Sequence, residues 1–124
     1  MKLEPIITKN APSAKYYSHA MRVNGFVFTS GQTARNPETG QLVGEDFPGQ
    51  VRQALENMKQ ILIAAGSGLE KVVAVDVFLA DLSLFDVFNQ VYGTFFPVHK
   101  PTRTTVGAAL GKGVLIEVKC VAAA

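Results

Sequence analysis

Two ionisable residues of this 124-residue chain, Arg103 and Glu117, sit in strand-like sequence. Arg103 lies in Lys100-Pro101-Thr102-Arg103-Thr104-Thr105-Val106, and the nearest acidic residue in sequence is Glu117. An arginine in that setting can form a surface ion pair, worth about 0–1 kcal/mol. It can also present its guanidinium fork to a carboxylate through two parallel N–H bonds. Glu117 is a lone carboxylate in Val114-Leu115-Ile116-Glu117-Val118. It can pair with Lys119 or a cross-strand cation, or it can move protons as a general acid–base group. Spacing alone leaves both alternatives open at both residues.

The other chemically capable residues read more plainly. His19, His99 and Cys120 are the candidate soft metal ligands, but none stands three or four residues from another. Neither CxxC nor HExxH occurs, so no metal centre is expected. The ordinary role of His19 is a strand residue with a hydrogen bond, and that of Cys120 is a small buried apolar residue. Ser30 lies in Thr29-Ser30-Gly31-Gln32, which is not a Gly-x-Ser-x-Gly elbow. Gly107 to Gly113 (GAALGKG) has three residues, not four, before Gly-Lys, and Gly113 follows the lysine. That is a turn, not a phosphate loop. No cofactor is expected.

Composition narrows the class. At 48% hydrophobic and 18% charged residues, the chain is too apolar for disorder. Its length fits a single domain spanning residues 1–124. Twelve Lys+Arg against ten Asp+Glu give a net charge of +2, scattered along the chain. Charge therefore points neither to a nucleic acid nor to a membrane surface. No apolar run approaches the ~18 residues of a membrane span. The N-terminal stretch lacks an apolar signal core, and the single cysteine suits a reducing compartment, so the expected location is cytoplasmic. So short a chain also has little room for a private active-site cleft.

Hydrophobic periodicity orders the elements that must position these residues. Tyr17 to Val23 alternates, with Tyr17, His19, Met21 and Val23 on one face. Asn24-Gly25 is a two-residue hairpin turn signal, and Phe26–Thr29 returns as the second strand. Asn36-Pro37-Glu38-Thr39-Gly40 predicts a loop or short extra hairpin over residues 31–45. Asp46 caps a helix with Pro48 in its first turn, along the stripe Val51, Leu55, Met58, Leu62 and Ala65. Val72 to Leu79 is nearly all apolar and predicts a strand buried on both faces. Ser83 and Asp86 resemble a capping box for a second helix with the stripe Leu84, Phe88, Val91 and Phe95. Arg103–Ala108 and Val114–Val121 are the last strands.

The order β-β-α-β-α-β-β, with right-handed crossovers, gives one sheet with both helices on one face. On the last strand Ile116, Val118 and Cys120 face the helices. Leu115, Glu117, Lys119 and Val121 face the uncovered side, which calls for another subunit.

Taken together, these stretches resemble the reactive-intermediate deaminase (Rid/YjgF-like) family across Asn10 to Ala123. The matching pieces include Asn10-Ala11-Pro12, Tyr17-Ser18, Phe28-Thr29-Ser30-Gly31-Gln32, Gln50 through Lys59, Ala64-Ala65-Gly66, Phe88-Asn89, Pro101-Thr102-Arg103 and Ile116-Glu117-Val118. The resemblance implies a chorismate-mutase-like α+β fold. It also implies a homotrimer, with sheets packed around the axis, helices outside and sites between subunits. It implies hydrolysis of 2-imino/2-enamino acids to 2-oxo acids and ammonia, without a cofactor. Arg103 would hold the substrate carboxylate and Glu117 would position or activate water. Tyr17, Ser30, Gly31 and Asn89 would line the pocket, and His19, sharing the face of Tyr17, would join them. Departures are His19 for the common glutamine, Gly107 for the common glutamate, a turn after Gly107 about one residue short, and Lys119 for the second glutamate of Glu-x-Glu. They leave room for a pathway-specific deaminase of a larger substrate. A trimer of the same fold that binds small carboxylates without turnover is the non-catalytic alternative. RNA cleavage, associated with some family members, fits the near-neutral charge poorly.

Overall fold

In a computed structural model, which describes residues 1–44 and 46–124, the chain folds around one six-stranded sheet. Glu45, the last residue of the predicted 31–45 loop, lies outside the described residues. The strands are β1 (Glu4–Ile6), β2 (Ala20–Val23), β3 (Phe26–Thr29), β4 (Val72–Leu79), β5 (Thr102–Gly107) and β6 (Ile116–Ala123). The helices are α1 (Phe47–Ala64) and α2 (Phe85–Phe95). Across the sheet the order is β1-β2-β3-β6-β4-β5. Only the β4–β5 pair is parallel among these neighbours.

The predicted α+β order is present, with one strand added. β1 is three residues long and contains Pro5, so it has no period to read. Its place at the sheet edge is where a proline, lacking an N–H, is tolerated. β2 is shorter than predicted: it begins at Ala20, and Tyr17, Ser18 and His19 precede it. Asn24 (φ 51°) and Gly25 (φ 80°) make the tight turn into β3, both in the left-handed region that this hairpin type requires. The 36–40 segment is a turn in which the Asn36 side chain accepts from the Glu38 and Thr39 amides, and an Arg35–Leu42 bridge makes it a small hairpin.

The stripe of α1 is the centre of the core: Val51, Leu55, Met58 and Leu62 are fully buried. Each such side chain contributes about 1.5–3 kcal/mol by leaving water. Asp46 caps the helix by accepting from the Gly49 amide at 3.3 Å. At the other end, Arg22 of β2 donates to the Ala65 carbonyl at 3.0 Å, which satisfies a terminal acceptor and complements the helix dipole. The start of α2 differs from expectation. The cap is Asp81, which accepts from the Ser83 amide at 2.8 Å, and a 3₁₀ turn over Leu82–Leu84 leads into the helix. Hydrogen bonds from Ser83 hold the Asp81 carboxyl below the usual carboxylate range.

Both helices cover the same sheet face. Val75, Val77 and Leu79 of β4, and Ile116, Val118 and Cys120 of β6, are buried beneath them. Burial pushes the Cys120 thiol up to about 12, so it is an inert core group. The opposite face is uncovered, and β4 is buried on one face only, not on both as its apolar run implied. Phe26, Phe28 and Val106 keep more than two-fifths of their surface exposed, on strands that bring Glu117 and Lys119 to the same side. Among the described residues no helix is long and apolar enough to cross a membrane.

Candidate functional site

The candidate residues fall into two groups, on opposite faces of the sheet. The first surrounds a cavity of about 430 Å³ lined by Tyr17, Thr29, Ser30, Gly31, Glu117 and Lys119. Glu117 projects from β6 toward it. The chain leaving β3 is held against β6 by paired bonds, Gln32 N–H to Val118 O at 2.7 Å and Val118 N–H to Gln32 O at 2.9 Å. That pairing brings Gly31 against the Glu117 side chain: a Cβ at position 31 would stand 2.9 Å from Glu117 Cδ. The missing Cβ leaves the carboxylate in the place it occupies; a side chain here would displace it. Ser30 does not present a free hydroxyl, because its Oγ donates to Ser18 O at 2.6 Å. That bond fixes the chain entering β2, and so the place of Tyr17. No ion pair or hydrogen bond to the Glu117 carboxylate is found among the described residues.

A change at Gly31 tests this contact directly. The obstruction is the far end of a flexible side chain, so Gly31→Ala is expected to leave the melting temperature within a few degrees of wild type. The carboxylate must nevertheless move, and any reaction that depends on its position should slow on the order of 10²-fold. Thermal denaturation and steady-state rates, measured on the same preparation, check both halves.

The second group lies under α2. Arg103 is on the helix side of β5, with its guanidinium 4.8 Å from the Tyr92 ring centroid, 5.2 Å from Phe88 and 5.6 Å from Phe85. The aromatic faces hold the cation by cation–π attraction. No carboxylate lies within 4.0 Å of it among the described residues, where the one ion pair is Arg52–Asp46. Asn89 is half-buried, four residues after Phe85 and three before Tyr92. At that spacing it shares the helix surface of the rings that flank Arg103. Two more groups on this side were not singled out from sequence. The Tyr92 hydroxyl and the Thr105 Oγ1 are buried without a hydrogen-bond partner. Thr105 follows Arg103 by two residues and so shares its face of β5. Burial pushes the Tyr92 hydroxyl above the usual phenol range, against the opposing pull of the Arg103 charge. Buried polar groups are nearly always paired, so one orphan on α2 and one on β5, on the side of the sheet that carries Arg103, suit a polar ligand. A threonine in a strand and a tyrosine in a helical stripe give no such signal in sequence.

The structure does not bring the two groups together within one chain. Glu117 pairs in register with Phe78, whereas Arg103 pairs with Val75, three residues earlier along β4. Two strand spacings and three residues put the Glu117 and Arg103 backbones on the order of 14 Å apart. The odd register step also sends their side chains to opposite faces.

His19 belongs to neither group. The expected alternation with Tyr17 does not hold, because residues 17–19 precede the regular strand: Tyr17 is 57% exposed and His19 only 2%. Nδ1 accepts from the Thr8 amide at 3.1 Å, and Nε2 lies 2.7 Å from Pro12 O. The imidazole borders a different cavity, with Lys9, Ser13 and Glu38 among its lining residues. Of the other departures, Lys119 lines the Glu117 cavity. Gly107 ends β5, where a Cβ would meet Leu82 at 3.3 Å.

Comparison with known proteins shows the family and the fold. The family model described as Endoribonuclease L-PSP matches residues 8–124. Protein HMF1 of Saccharomyces cerevisiae is 43% identical over 123 residues, covering 98% of this chain and 95% of its own. Reactive Intermediate Deaminase A, chloroplastic, of Arabidopsis thaliana is 40% identical over 98% of this chain and 66% of its own length. Among solved structures, E. coli TdcF with bound serine superposes with a TM-score of 0.91 at 36% identity, covering 98% of both chains. With nearly its whole length matched in sequence and in fold, the chain belongs to the Endoribonuclease L-PSP family, also called YjgF/Rid.

Proposed function

We propose that the protein hydrolyses 2-imino and 2-enamino acids at sites shared between copies of the chain in a homotrimer. The observation that carries this reading is the division of the ionisable groups. Among the described residues, an arginine in no ion pair and a carboxylate in no ion pair stand on opposite faces of one sheet. The face bearing the carboxylate is uncovered and rich in half-exposed apolar side chains. Association over that face removes the apolar surface from water. It also allows the Arg103 edge of one copy to meet the Glu117 cavity of the next. A relative named as a reactive intermediate deaminase, and a solved neighbour holding serine, support a small amino-acid-derived substrate.

The reaction balances with water alone. Arg103 holds the substrate carboxylate by its two parallel N–H groups, which fixes the C=N carbon over the cavity. Glu117 takes a proton from water as the oxygen adds to that carbon, and the C=N π bond becomes an amine nitrogen that receives the proton. The carbinolamine hydroxyl then gives its proton, by way of Glu117, to that nitrogen; C=O re-forms, the C–N bond breaks, and ammonia leaves with the 2-oxo acid. Asn89, Tyr17 and the Gly31 backbone line the space around the reacting atoms. Ser30 acts through the Ser18 carbonyl it holds.

A 2-imino acid generated in situ by an amino-acid oxidase tests the activity. The expected result is faster release of 2-oxo acid with the protein than without it, together with a solution mass of three chains by light scattering. A monomer at micromolar concentration, or an unaccelerated rate across small 2-imino acids, overturns the reading.

A further inference from the structure

We infer that His19 is a positioning residue that holds one wall of the Glu117 cavity in place only while its imidazole is neutral. Its two ring nitrogens face backbone groups of fixed polarity. The Thr8 amide at 3.1 Å can only donate, so Nδ1 must be bare. The Pro12 carbonyl at 2.7 Å can only accept, so Nε2 must carry the proton. One neutral tautomer satisfies both, whereas the imidazolium has two N–H groups and no acceptor. Protonation therefore sets donor against donor at Thr8, inside a residue that is 2% exposed.

The backbone of His19 connects that event to the cavity. Its amide donates to Ile6 O at 3.1 Å, and its carbonyl accepts from the Ser30 amide at 2.9 Å. The Ser30 hydroxyl in turn holds Ser18 O. Tyr17, Ser30 and Gly31, which line the cavity, thus stand within two residues of His19 or of a backbone bond to it. On the other side of the ring lies the 6–12 arm, whose regular pairing is the three-residue β1 at the sheet edge. The charged side chains bordering the same space are Lys9 of the arm and Glu38 of the 36–40 turn, one of each sign. A glutamine would supply the same acceptor and donor pair without titrating, so histidine here adds sensitivity to pH without changing the hydrogen bonds made at neutrality.

The activity readout rests on the proposed imine hydrolysis; a second readout does not. Wild type, H19Q and H19A are compared. H19A loses both bonds, and its kcat/KM should fall on the order of 10–100-fold, with H19Q recovering most of that loss. Wild-type kcat/KM is expected to fall severalfold relative to H19Q as pH is lowered through the acid range in which the fold persists, since only the histidine can take a second ring proton. In parallel, hydrogen-exchange protection of the Thr8 amide, normalised to that of Arg22, should fall with pH in wild type and stay constant in H19Q. Constant protection of Thr8 in wild type overturns the latch whether or not the protein turns over imines. Loss of Thr8 protection alongside superimposable activity profiles for wild type and H19Q overturns its coupling to the cavity.

Discussion

Arg103→Ala is expected to lower kcat/KM for 2-imino acids by roughly 30- to 1000-fold, which corresponds to about 2–4 kcal/mol of lost transition-state stabilisation. The reason is the absence of a competing partner: the guanidinium is stacked on Phe85, Phe88 and Tyr92, and the one ion pair among the described residues lies elsewhere. Its charge is thus available to a ligand in a way that a paired arginine's is not. Arg103→Lys should recover little, because a point ammonium neither stacks on the three rings nor offers parallel N–H bonds. Folding should survive both changes, since the cation–π contacts contribute about 0.5–2 kcal/mol. Rates measured beside thermal melts separate the two effects. Equal rates for wild type and Arg103→Ala would remove the carboxylate anchor from the mechanism.

Glu117→Gln is expected to reduce kcat by about 10²–10⁴-fold with KM little changed, because it removes proton transfer and leaves the carboxylate anchor intact. The more telling result comes from mixing. Arg103 and Glu117 lie on opposite faces of one sheet, so the proposed site takes Arg103 from one copy and Glu117 from another. Co-expressed Arg103→Ala and Glu117→Gln chains, assembled at random, should regain about a quarter of the wild-type sites. Each variant alone should remain nearly inactive. A mixture no more active than its components would show that the two residues do not serve one shared site.

Much of this arrangement was readable from residue pattern. The helix stripes, the Asn24-Gly25 turn and the alternation on the last strand are local signals tied to fixed periods. They placed Ile116, Val118 and Cys120 inward and Glu117 outward, as the structure has them. The signals failed where local chemistry is set by distant partners. Residues 17–19 alternate like a strand, but Ser18 and His19 are held by the 6–12 arm and by Ser30, and the alternation carries no orientation there. β1 is too short and too interrupted by proline to show a period. The side of the sheet taken by Arg103 depends on the parallel register between β4 and β5, and local spacing within Lys100–Val106 holds no trace of that register. The orphaned Tyr92 and Thr105 hydroxyls are visible only once the two elements are packed together.

Gln50 stands one residue before the apolar stripe of α1, yet it is fully buried and ties three chain segments together. Its amide donates to Gly44 O and Gly113 O and accepts from the Leu115 amide. The last two contacts, at Gly113 and Leu115, lie just before β6, so the strand is anchored where the chain leaves the Gly111–Gly113 turn. A one-residue slip of β6 would exchange Glu117 for an apolar neighbour at the cavity and drive a carboxylate under the helices. With the anchor downstream, residues 108–112 can lengthen or shorten without transmitting that slip. The turn is free to diverge in sequence and length among descendants of this chain, while the carboxylate keeps its place.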